Sequence, residues 1–245
     1  MPRMLYIISE GRTECAFVKN VLAQHLEPFT WKAYPITLRT GDKTNGSSKG
    51  GFRRSKGYEH AINEICSVIS NHDINDVHTT FFDLYGFPVD IPCHEKAKSL
   101  TSPQDKAKLY ECQIKKDVAE LFEGNKSFRS DLFLPYVQPY EFECFLFVDP
   151  KLSADEFSGE DRDKAKKLED KMSKIIRDFK TPEHINDSFE TAPSKRLEKL
   201  VPNFRKNKTS KSGFSWKITQ TVGIQRIRDA CHHFNEWLSM LETFK

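Results

Sequence analysis

Two short runs leave this chain little freedom of fold. Residues 5–8 read LYII, apolar throughout, and residues 77–83 read VHTTFFD, rich in β-branched and aromatic side chains. A strand without polar alternation is buried on both faces, as in a parallel sheet covered by helices. The segments between have helical spacing. Phe17, Val18, Val21, Leu22 and Leu26 form one apolar stripe, and Ala61, Ile62, Ile65, Val68 and Ile69 form a second. Ile114, Val118, Leu121 and Phe122 form a third, in a helix predicted over 104–123. YPITLR (34–39) reads as a more peripheral strand, and 132–147 as a fourth made irregular by Pro135 and Pro139.

Alternating strands and helices over residues 1–150 predict an α/β core, with a mostly parallel central sheet flanked by helices. Residues 151–245 read as a helical region with a basic loop, packed on that core. Its helices are predicted over 161–179 (Leu168, Met172, Ile175, Ile176 and Phe179 inward) and over 226–241 (Ile227, Cys231, Phe234, Trp237 and Leu241 inward). Gly86, Pro88 and Pro92 forbid helix immediately after the third strand.

The chain has 245 residues, 38% hydrophobic and 30% charged, which suits a water-soluble globular protein. No stretch approaches the roughly 18 consecutive apolar residues of a membrane span. No secretory signal is read at the N-terminus, so a cytoplasmic location is expected. The six cysteines lie scattered without a CxxC pair, several of them on apolar stripes, which fits reduced core thiols and no zinc site. His232 and His233 have no HExxH or paired cysteine beside them and read as part of a helix face.

In an open α/β sheet the working site lies beyond the carboxyl ends of the strands. Glu10 follows the first strand, Asp83 ends the third, and Glu141 and Glu143 end the fourth; Glu14 lies one turn into the first helix. Carboxylates gathered at one edge repel each other unless a cation joins them, and Mg²⁺ or Mn²⁺ prefers oxygen ligands. One or two such ions would activate water against a phosphodiester, with Gly11 allowing the turn between Glu10 and Glu14. The plainer roles stay open: Glu10 as a helix cap, Asp83 bonded to its own loop, and Glu141 and Glu143 facing apart if the segment is already helical.

These residues, in this order, resemble the Toprim fold of primases, topoisomerases and overcoming-lysogenization-defect nucleases. SEGRTE matches its Glu-Gly element, and FFDLYGFP matches half of its Asp-x-Asp element. Tyr85 stands in place of the second Asp, so Glu141 or Glu143 would have to substitute. A closer resemblance covers nearly the whole chain. EGRTE, TTFFDLYGFP, PYEFECFLF, TPEHINDSFETAPSKRL and RIRDACHHFNEWLSMLE look like successive blocks of the family called domain of unknown function 4276. That resemblance implies a Toprim-like core paired with an ATPase of the SMC/ABC type, the Toprim-like chain acting as nuclease effector in defence against phage.

Net charge is only +3, but two segments are strongly basic: 39–57 has six Lys or Arg against one acid, and 194–217 has eight against one. Cations interleaved with aromatics in the second suit a nucleic-acid backbone. Arg53, Arg54, Lys206, Lys208 and Lys211 are the candidate nucleic-acid contacts. Lys195 and Arg196 are candidates to steady the scissile phosphate, with Glu10 as ligand or general base. The loop over 41–57 is not a Walker A motif, because Ser47 and Ser48 follow Gly46. The reading is therefore a Mg²⁺- or Mn²⁺-dependent nuclease on DNA or RNA, with an ATPase partner, a possible homo-oligomer and no membrane association. The alternatives are a non-catalytic, regulatory Toprim-like partner of the ATPase, and a nucleotidyl transferase using the same ions.

Overall fold

The computed structural model describes residues 2–38, 57–125, 128–186, 188–202, 204 and 212–244. Strand β1 (Arg3–Ser9) leads into α1 (Arg12–Phe17), which continues through a π-helical turn (Val18–Leu22) into α2 (Ala23–Leu26). Strand β2 (Trp31–Thr37), helix α3 (Tyr58–Ser70) and strand β3 (Val77–Asp83) follow. After β3 come α4 (His94–Lys98) and α5 (Pro103–Leu121), then two strand fragments, β4 (Phe133–Leu134) and β5 (Val137–Gln138). The sheet order is β2-β1-β3-β4, with β5 also on β3, and every pairing is parallel. The fold is α/β, as the strand–helix alternation predicts.

Helices cover both faces of the sheet. Leu5, Ile7 and Phe81 point into one core with Phe17 and Leu22, while Ile8 and Phe82 point into the other with Ile62, Ile65 and Ile114. The C-terminal region is helical: α6 (Pro150–Ser158), α7 (Arg162–Arg177), α8 (Pro193–Leu200), α9 (Ser212–Val222), α10 (Ile224–Ala230) and α11 (His232–Thr243). It shares the first core, since Met172, Leu197, Ile218, Trp237 and Leu241 pack in the same cluster as Leu5.

Four expectations need correction. The fourth strand is not continuous: Pro135 lacks the N–H a ladder requires, pairing breaks there, and residues 142–147 wind into a 3-10 helix (Phe142–Phe147). The predicted 226–241 helix breaks at Cys231, which is extended (φ −116°, ψ 93°), so α10 and α11 form a bend. Arg228 holds that bend, donating to Asn235, Ser239 and Glu242 of α11. Leu121, expected inward, is 58% exposed at the end of α5, and Ala107 and Tyr110 are buried instead. The cysteines are all free thiols, but only Cys93, Cys144 and Cys231 are buried, and Cys112 is exposed.

Two buried threonines repair the gap between β4 and β5. Thr80 Oγ1 donates to the Tyr136 carbonyl (2.7 Å) and accepts from the Tyr136 N–H (2.8 Å), replacing the missing rungs. Thr79 Oγ1 donates to the Leu134 carbonyl and accepts from Trp237 Nε1 (2.9 Å), which ties α11 to the sheet. Two acids complete the docking of α11. Glu183 caps its first turn, accepting from the His233 and Phe234 N–H groups (3.1 and 3.0 Å). Glu111 of α5 accepts from the Val137 N–H (2.8 Å) and bonds His233 Nε2 (2.7 Å).

Thr80→Val should leave the buried Tyr136 N–H without its acceptor, while the Tyr136 carbonyl keeps the Phe82 N–H (3.4 Å), and destabilise the fold by about 1–2 kcal/mol, read as a lower urea midpoint. An unchanged midpoint would refute this role. Burial alone would lower the pKa of His233, but the bond to Glu111 and the charges of Glu111, Glu183 and Glu236 outweigh it and raise it above 6.5. The folded state therefore holds this proton more tightly than the unfolded chain. The contribution is full below about pH 6.5 and is lost as pH rises through the raised value. Stability should fall from pH 6 to 8, and His233→Gln should flatten that slope; equal slopes in both proteins would contradict the assignment.

Candidate functional site at the carboxyl edge of the sheet

Chain order reverses between β1 and β3. From β1 the chain moves outward to β2, and then returns past β1 to β3, with α1 and α2 on one face and α3 on the other. Loops leaving such a switch point diverge and open a crevice at the carboxyl edge. Register sets Ser9 beside Phe81, so Glu10 leaves one lip of the crevice as Asp83 leaves the other.

Glu10 is half-buried, and its carboxylate crosses to the turn that follows β3. A Cβ at Gly86 would lie 2.8 Å from the Glu10 carboxyl carbon and closer still to both oxygens. Glycine lets this carboxylate lie against the Leu84–Gly86 turn, and any Cβ there would have to displace it. In the sequence Gly86 stands out only as a helix breaker; a glycine three residues past a strand-ending acid is the signal that points to close approach.

Asp83 is buried, and its Oδ1 accepts the Phe142 N–H (2.8 Å), which joins the end of β3 to the start of the 3-10 helix. The loop after β3 is fastened to the loop after β5: Tyr85 N–H donates to the Tyr140 carbonyl (3.1 Å), and their ring centroids lie 5.3 Å apart. Tyr140 has φ +59°, a left-handed conformation uncommon for a bulky residue. Tyr85, where the Toprim pattern has its second Asp, thus packs against a neighbouring ring.

Glu141 and Glu143 part company. Glu141 is extended (φ −147°, ψ 149°), and its Oε2 accepts the Ser194 N–H (2.9 Å) in the first turn of α8. Glu143 lies inside the 3-10 helix and is 1% exposed. Glu14 is buried at the third position of α1, and its Oε2 would lie 2.7 Å from a Cβ at Gly11, the placement of an acid folded back on its own helix start. Lys195 Nζ bonds Glu198 (2.9 Å). Arg196 Nε donates to the Thr191 carbonyl (2.7 Å), and its guanidinium stacks 5.1 Å from the Phe179 ring centre. Arg53, Arg54, Lys206, Lys208 and Lys211 lie outside the described residues.

The donor set at this edge is carboxylate oxygen, the chemistry a hard divalent cation takes. One backbone N–H occupies about one of a carboxylate's four lone-pair positions, so such a bond and a metal bond are compatible on one group. Among the described residues, no three Asp, Glu, His or Cys side chains stand grouped around one ion position. Glu10 and Asp83 at the crevice therefore provide at most part of a shell.

Fold and site define an α/β protein with an acidic crevice at the switch point of a parallel sheet. The chain belongs to the family described as Domain of unknown function (DUF4276), whose model matches residues 9–242. No curated protein matches it, and no solved structure matches it. No helix among the described residues is long and apolar enough to cross a membrane.

Gly86→Ala should push the Glu10 carboxylate, the far end of a flexible side chain, from its seat at a cost of about 1 kcal/mol or less. In a Glu10→Ala background the same change should cost less, giving a coupling of about 0.5 kcal/mol or more in a double-mutant cycle. Additive losses would show that the carboxylate does not occupy this seat.

Proposed function

We propose that the crevice between β1 and β3 hydrolyses phosphodiester bonds of DNA or RNA with Mg²⁺ or Mn²⁺. The observation that carries this reading is the Glu10 carboxylate seated on Gly86, one turn past Asp83, at the switch point of the sheet. Mg²⁺ is commonly held by one or two carboxylates together with substrate phosphates, so a partial protein shell suits it. Glu10 and Asp83 would hold the ion, with Glu141, Glu143 or Glu14 as further oxygen donors. When bound, the ion lowers the pKa of an attacking water and stabilises the leaving oxygen.

The chain's own residues supply the rest. Glu10, the more accessible of the two, is placed to accept the proton of the attacking water. Tyr85 and Tyr140 offer half-buried rings on which a base can stack. Lys195 is the better placed cation for the scissile phosphate, because its i,i+3 pair with Glu198 is partly exposed and weak. Arg196 is held by Thr191 and Phe179 and acts by fixing α8. The Toprim-like relationship, the SMC/ABC-type ATPase partner, a homo-oligomer and a role as anti-phage effector belong to this proposal through the sequence resemblance.

A second reading, a non-catalytic partner of such an ATPase, is favoured by Tyr85 at the second Asp place and by the absence of a three-ligand group among the described residues. Purified protein should nick plasmid or degrade RNA when Mg²⁺ or Mn²⁺ is added. Glu10→Ala and Asp83→Asn should each lower the rate by about a hundredfold or more at unchanged melting temperature; Asn keeps an acceptor for Phe142. Full activity in Glu10→Ala would eliminate the mechanism. No cleavage by the wild type with any metal, beside a stable ATPase complex, would favour the second reading.

A further inference from the structure

Helix α7 carries seven cations and three acids between Arg162 and Arg177. Its apolar side is committed to the core through Ala165, Leu168 and Met172, with Ile175 and Ile176 packed beside them. Two of its cations have acidic neighbours: Lys166 pairs with Glu169 and Asp170 (both 3.3 Å), and Arg162 lies 3.9 Å from Asp155. Lys164, Lys167, Lys171 and Lys174 are exposed, and none of them pairs with an acid among the described residues. At about 100° per residue these four project within an arc of about 80°, spread over about 15 Å of helix. A merely solvated helix face usually alternates sign at this spacing, and a row of like charges three and four apart destabilises the helix that carries it.

The row is also linked to the candidate site. Just past α7, Phe179 lies under the Arg196 guanidinium, and Ser194, two residues before Arg196, holds Glu141. We infer that the Lys164–Lys167–Lys171–Lys174 face is a docking strip for a nucleic-acid backbone, with phosphates lying along α7 and the strand leading toward the acidic crevice. Linear, regularly spaced charge matches a polyanion of repeating phosphates. A membrane surface is the poorer match, because an interfacial helix needs its apolar face and α7 has buried its own. The phosphodiester reading supplies only the direction of the strand; the binding itself stands apart from it.

The test uses the full chain in EDTA, with labelled duplex DNA and labelled single-stranded RNA followed by fluorescence anisotropy. Replacing Lys164, Lys167, Lys171 and Lys174 together by Gln should weaken binding at least about tenfold near 0.1 M salt. It should also reduce the slope of log K against log salt by about 3 between roughly 50 and 200 mM. The matching fourfold Arg variant should bind like wild type, as should Lys98→Gln/Lys116→Gln, which removes two cations paired with Glu95 and Glu120. An unchanged affinity and slope in the fourfold Gln variant overturns the inference, as does wild-type binding to phosphatidylserine vesicles but to neither nucleic acid. Wild-type binding that depends on the strip, without cleavage under any metal, upholds the strip and removes only the nuclease reading.

Discussion

Strand β3 is buried along its whole length and hydrogen-bonded on both edges, so any polar group it carries must be satisfied by protein. Its last residue is an acid. Asp83 meets the demand by accepting the Phe142 N–H, and that bond fixes where the chain leaving β5 turns into its 3-10 helix. The turn places Glu141 against the Ser194 N–H in the first turn of α8, and α8 carries Arg196 onto Phe179 just past α7. A single buried carboxylate thus transmits the position of the central strand into the C-terminal half, one backbone donor at a time.

The C-terminal helices are held by the same kind of contact. Glu183 caps α11, Glu111 joins the N–H of β5 to His233, and Thr79 receives the Trp237 indole N–H. Each of these buried polar groups costs free energy unless paired, so the partial contacts of a displaced α11 are disfavoured and the docked arrangement is specified narrowly. The apolar face of α11 supplies the bulk of the attraction, with Phe234, Trp237, Leu238 and Leu241 essentially inaccessible to solvent.

Strand β1 was legible because burial on both faces leaves a continuous apolar run, and β3 because β-branched and aromatic residues fill it; VHTTFFD matches the observed Val77–Asp83 residue for residue. The fourth strand was not legible as two fragments: Pro135 and Pro139 announce irregularity, but the hydroxyls that repair it belong to Thr79 and Thr80, far away in the chain. The break at Cys231 lies within an unbroken helical period and is imposed by packing and by the Arg228 bonds. At the candidate site the acids and their strand ends could be read directly. Their partners could not, since Gly86, Phe142 and Ser194 meet them only through tertiary structure.

Acids in this chain repeatedly hold backbone N–H groups, and that habit ranks the candidates. Glu183 and Glu141 sit at helix starts, Glu14 folds back on Gly11, and Asp90 receives the Tyr58 N–H at the start of α3. For each of these a structural role explains both the charge and its location, through the favourable field and donors of a helix N-terminus. Glu10 stands at a different place in the fold. It lies where two strands of reversed order part, half-accessible, against a residue whose missing side chain makes room for it. A carboxylate at this edge, beside a glycine that leaves it room, is the feature on which the proposed phosphodiester chemistry rests.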